Sequence, residues 1–184
     1  MRLLKQPLDR PGELWFQHKS PHGPFDRLEP QTYKQLIKQR SESMDPEDAV
    51  FYVGERAKHE AAYRDLLGID MDRSFTYATL VGHELMEAPG YYPGNTHYFK
   101  LTVDQANACI FELVAGKDHG LDVDPGVGVT ALLACVEAWV AHAHEYKPYQ
   151  DDVVGGLIEP RIEVVIPFPV DVIAVYPEEE MRST

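Results

Sequence analysis

His83 and Glu84 stand side by side where the alternating run SFTYATLVG gives way to MEAPGYYPGN, a place where an acid–base pair would face a cleft. The spacing lacks the second histidine of an HExxH zinc helix. His97, His119, Asp122, Asp124, His142 and His144 are further potential ligands, and a His-x-His pair can serve one ion from an extended segment. His142 and His144, however, fall in a helical pattern, where residues two apart point to different faces. There they suit a helix C-terminus, whose partial negative charge favours imidazolium. No metal is expected. DVDPGVG (122–128) opens like a calcium loop, but Pro125 follows and no Glu stands at the twelfth position. Nor does it end in the Lys-Ser/Thr of a phosphate-binding loop, so it reads as a lead-in to a helix.

A thiol mechanism would need Cys135 beside His83. The order GHE, YYP, LTVDQA and then a Cys-bearing helix resembles circularly permuted papain-like hydrolases. In such families the nucleophile usually opens its helix behind polar residues, whereas Thr130-Ala-Leu-Leu-Ala precedes Cys135, and Val136, Ala138 and Trp139 follow it. That setting predicts a buried, inert thiol with a raised pKa.

The closing EPRIEVVIPFPVDVIAVYP resembles the end of ADP-ribosyltransferase-like domains, in which a glutamate precedes or opens a strand of the form E-V-V-x-P and a short corner leads to a final strand. In the His-Tyr-Glu branch an early strand ends in a histidine followed by a small polar residue, and a second strand carries a tyrosine. ELWFQHKS offers His18 and Ser20, AVFYVG offers Tyr52, and Glu163 is the third member. The resemblance implies an NAD-using transferase or glycohydrolase. His18 and the Ser20 hydroxyl would hold the ribose, Tyr52 would stack on nicotinamide, and Glu163 would stabilise the oxocarbenium-like centre. Lys19 stands where the family commonly has Gly, and the helix over 130–146 is unusually large for it. The plainer reading makes Tyr52 core, with His18 and Glu163 ordinary surface residues.

GYYPGNTHYF (90–99) suits a recognition loop, since tyrosine offers a large amphipathic area at small entropic cost. It equally suits a segment whose Tyr91 and Tyr92 cover a sheet edge.

These residues need elements to hold them, and Gly and Pro punctuate the chain. GELWFQH (12–18) predicts a strand closed by the turn residues SPHGP. Tyr33, Leu36 and Ile37 predict a helix from Glu29 to about Arg40. AVFYV (49–53) reads as a buried strand ending at Gly54, and 55–67 as a helix stopped by Gly68. SFTYATLVG (74–82) and THYFKL (96–101) read as strands joined in a hairpin. Thr102 and Gln105 have capping-box spacing and open a predicted helix over 102–115. Residues 130–146 are apolar on nearly every side in their first turns, as in a buried central helix. RIEVVIP (161–167) and DVIAVYP (171–177) are strands joined by a proline corner. Without a clean βαβ rhythm, these elements predict an α+β fold with a mixed or mostly antiparallel sheet and about four helices.

The 184 residues fit one domain over 1–184, with 1–12 and 178–184 frayed, and suffice for a core without metal or disulfide staples. Thirty acidic against 17 basic residues leave a net charge of −13, which disfavours nucleic acid and anionic membrane surfaces. The same charge would suit a binding or inhibitor protein that docks on a partner with a basic surface. Cys109 and Cys135, without CxxC spacing, indicate a reducing compartment. With no signal-like apolar core near the N-terminus and no run near 18 apolar residues, a cytoplasmic location is expected.

Overall fold

The computed structural model describes residues 14–81, 94–114, 123–142, 149–151, 156–158 and 161–177. In chain order the elements are β1 (Leu14–Ser20), β2 (Arg27–Leu28), α1 (Tyr33–Arg40), α2 (Pro46–Leu67), β3 (Thr76–Leu80), β4 (Asn95–Leu101), α3 (Val103–Asn107) and β5 (Ile110–Val114). There follow β6 (Val123–Val127), α4 (Gly128–His142), β7 (Tyr149–Asp151), β8 (Gly156–Ile158), β9 (Arg161–Ile166), β10 (Val170–Asp171) and β11 (Ala174–Pro177). The fold is α+β. Seven strands form one sheet in the order β11-β4-β1-β3-β9-β5-β6, and β10-β2 and β7-β8 form two small ribbons. Every described ladder is antiparallel.

Alternation along the strands divides the sheet into two faces. Phe111 and Leu113 of β5 with Ile162, Val164 and Ile166 of β9 pack together with Leu132 and Cys135 of α4. Ile110 and Val165, one residue out of phase, pack instead with Tyr63 of α2 and Phe75. The sheet is thus covered by α4 on one face and α2 on the other.

Several elements depart from their predicted form. Tyr52 lies in a helix, because Asp45 caps α2 by accepting from Glu47 N, Pro46 opens it, and Glu47 and Asp48 suit its first turn. AVFYV is the second turn of that helix: Ala49 and Val53 are buried four residues apart, while Val50 and Phe51 face outward. Gly54 is passed without a break. The left-handed Gly68 (φ 63°) ends the helix as expected.

The capping box Thr102–Gln105 is present, yet α3 has only five residues and the chain re-enters the sheet at Ile110. The predicted hairpin between β3 and β4 is corrected too, since β1 lies between them and pairs with both. Gly94, at φ +144°, lies so close to Ser20 O and Pro21 Cα that no side chain fits there. In β4, Thr96, His97, Tyr98 and Phe99 are buried, which makes this half of the 90–99 segment sheet rather than recognition loop. Tyr91 and Tyr92 lie outside the described residues. α1 begins at Tyr33, capped by Thr32. α4 buries one face only, leaving Leu133 and Val140 exposed, so it is not enclosed on every side. Among the described residues no helix is long and apolar enough to cross a membrane.

Candidate functional site

The face beneath α2 carries a transverse row of polar side chains. Gln17 stands opposite Thr79, Thr79 opposite Glu163, and Glu163 opposite Glu112. Residues directly opposite share a face, with Cβ atoms about 4.5–5.5 Å apart. Two carboxylates are therefore neighbours on adjacent strands, an arrangement that like-charge repulsion opposes unless donors or a shared proton offset it. Tyr63 Oη donates to Glu112 Oε1 at 2.6 Å, and His59 Nε2 lies 2.7 Å from the same Tyr63 oxygen. Arg161 Nη2 donates to Glu163 Oε2 at 3.2 Å. Burial, then the Glu112 carboxylate, raises the Tyr63 pKa well above the ordinary phenol value, so the ring stays a neutral donor.

A second polar cluster borders this row. Glu60 is fully buried, and its Oε1 accepts from Arg56 Nε (2.8 Å), Tyr77 Oη (3.0 Å) and Phe75 N (3.3 Å). Its Oε2 accepts from Tyr33 Oη at 2.7 Å, and Tyr33 in turn accepts from Arg64 Nη1 at 2.6 Å. Arg56 also donates to Phe75 O at 2.7 Å and lies over the Tyr77 ring, 4.5 Å from its centroid. This carboxylate has four donors and is a structural tie between α2 and β3.

The residues singled out from the sequence are dispersed. Glu163 belongs to the carboxylate pair. His18 follows Gln17, and successive Cβ atoms alternate across a strand, so His18 leaves the sheet from the face opposite Glu163. Its Nδ1 lies 2.7 Å from Tyr77 O, which fixes Nδ1 as the protonated nitrogen. The Ser20 hydroxyl accepts from His22 N at 3.1 Å, a local turn contact. Tyr52 packs under the Arg40 guanidinium, 4.8 Å away, on α2 rather than on a strand. Cys135 is buried and burial pushes its thiol up to about 11, so it is not a ready nucleophile; His83 lies outside the described residues. Of the potential metal ligands, His97 is buried and accepts from Phe25 N through Nε2 at 3.1 Å. Among the described residues no group of three or more His, Cys, Asp or Glu is arranged to hold a metal ion.

Glu112, Tyr63, His59 and Arg161 were not marked by any motif. The available signals were a Glu inside each apolar strand, IFELV and RIEVVI, and the i,i+4 spacing of His59 and Tyr63.

His18 and His97 make acid stability a measurable property. Burial lowers both pKa values, that of His18 from 6.5 to about 4. The folded state thus holds His18 neutral where the unfolded chain would protonate it. Stability is fully present above pH 6.5 and is lost as pH falls toward 4, with a slope from His18 of up to about 1.4 kcal/mol per pH unit. Urea midpoints across that window should fall in the wild type and fall less steeply in His18→Gln.

Comparison with protein-family models, with curated proteins and with solved structures finds no match to this chain.

Proposed function

We propose that the chain is an enzyme that breaks an N-glycosidic bond, with NAD as substrate, acting as an ADP-ribosyl transferase or as a glycohydrolase. The observation that carries this reading is the cross-strand pair Glu112–Glu163 beneath α2. In such a reaction the bond's electron pair leaves with nicotinamide, which becomes neutral, and positive charge develops on the ribose carbon. A fixed carboxylate beside that carbon, Glu163, stabilises it. The acceptor hydroxyl or water then loses a proton as it attacks, and Glu112 takes that proton. Arg161 donates to Glu163 and orients it. His18, Ser20 and Tyr52 have supporting places in the fold in this reading, and the chemistry rests on the two glutamates.

The test is nicotinamide release from NAD by wild type, Glu163→Gln and Glu112→Gln, each checked for its fold by circular dichroism. Glu163→Gln should lower kcat about 10²- to 10³-fold. A wild type that neither binds nor consumes NAD, or turnover that survives Glu163→Gln, would overturn the reading.

A second reading, a non-enzymatic protein that docks on a basic partner, is favoured by the first half of α2. There Phe51 and Val50 are 66% and 54% exposed beside Glu47, Asp48 and Glu55. Inertness toward NAD, together with salt-sensitive retention on an immobilised basic protein that Phe51→Ser abolishes, would select it.

A further inference from the structure

We propose that His59, Tyr63 and Glu112 form a proton relay that loads and unloads the Glu112 carboxyl from solvent. The proposal rests on Glu112 being a working base, but the relay itself is measured without substrate. His59 is exposed on α2, Tyr63 is 2% exposed, and Glu112 lies beneath it on β5. The two links, 2.7 Å from His59 Nε2 to Tyr63 Oη and 2.6 Å from Tyr63 Oη to Glu112 Oε1, are both short. A phenol has one hydrogen to give, so the chain has two complete arrangements. In one, Nε2–H donates to Tyr63, and Tyr63 donates to the Glu112 carboxylate. In the other, protonated Glu112 donates to Tyr63, and Tyr63 donates to the Nε2 lone pair.

Passage between them balances. Imidazolium releases its Nε2 proton to Tyr63 Oη as the Tyr63 proton moves to Glu112 Oε1, leaving neutral His59, unchanged Tyr63 and a neutral carboxyl group. One proton has crossed from surface to site, and the opposite charges have cancelled. Among the described residues, the charged groups that act on Tyr63 include Glu112 on β5, Glu163 on β9 and Glu60 on its own helix, and Arg161 pairs with Glu163. Glu55 and Lys58 flank His59 on α2 and pair with each other. Cys135 of α4 feels the Glu112 charge through the sheet, and β6 brings exposed Asp124 alongside β5.

The experiment is an NMR titration of the whole chain, free of NAD, following the His59 ring and the ¹³C-labelled Glu112 carboxyl. In the wild type each signal should respond to the protonation of the other group, as coupled groups do. In His59→Gln, a surface change that keeps a donor to Tyr63 but cannot carry a proton, the Glu112 midpoint should move. Tyr63→Phe, which removes the bridging oxygen, should decouple His59 from Glu112. A Glu112 midpoint that His59→Gln leaves in place would overturn the relay, whether or not Tyr63→Phe folds. Coupling with no NAD turnover would retain the relay and remove the substrate reading, whereas turnover without coupling would do the reverse.

Discussion

Arg56→Ala is expected to lower the unfolding free energy by about 3–5 kcal/mol, a large part of the roughly 5–15 kcal/mol that a domain of this size commonly has. The loss comes less from one ion pair than from what is left behind. Glu60 is fully buried, and Arg56 is its only cationic donor among the contacts described, at 2.8 Å. Tyr77, Tyr33 and Phe75 N would remain, but a buried carboxylate facing neutral donors alone keeps most of its desolvation penalty. The Phe75 carbonyl would lose its 2.7 Å donor as well. Urea unfolding of the single variant measures the cost. The double variant Arg56→Met, Glu60→Leu should recover part of it, because removing both charges leaves no orphan. A single variant within about 1 kcal/mol of wild type would show that water replaces the guanidinium.

Phe16→Ala should cost about as much, 3–5 kcal/mol, for a different reason. Phe16 is fully buried on β1; its ring centroid lies 5.8 Å from that of Phe99 and 6.2 Å from that of Phe111. These rings join β1, β4 and β5 on the α4 face. Truncation forfeits the transfer free energy of a phenyl ring and leaves a cavity that strands fixed by their ladders cannot close. Phe16→Leu should cost clearly less. Urea curves of unchanged slope with a lowered midpoint would report the loss as stability alone.

The class of fold was legible because alternation and turn residues mark strands such as 14–20, 76–80 and 161–166 on local evidence. The errors fall where local signals compete. AVFYV has the composition of a strand, but Asp45-Pro46 with Glu47 and Asp48 supplies a helix start, and burial of Ala49 and Val53 has helical period. IFELV was absorbed into a helix by the capping box at Thr102, because both faces of that strand are covered and its apolar residues run together. Glu163 was found as a strand glutamate, while its partner Glu112 was not. Their meeting depends on β5 and β9 lying side by side, although 46 residues separate the end of one from the start of the other, 114 to 161. Register between distant strands is a tertiary fact with no local mark.

The strand order has a consequence for how the chain comes together. β9 sits between β3 and β5, joining β11-β4-β1-β3 on one side to β5-β6 on the other, and it is encoded only at residues 161–166. During synthesis the earlier strands emerge first, yet until β9 inserts, β3 and β5 each present an unpaired edge. A nascent chain stalled before Arg161 therefore holds two open half-sheets that share no ladder. Such a chain is expected to aggregate or to need a chaperone, and the joining of the two half-sheets waits on a strand made after both β3 and β5.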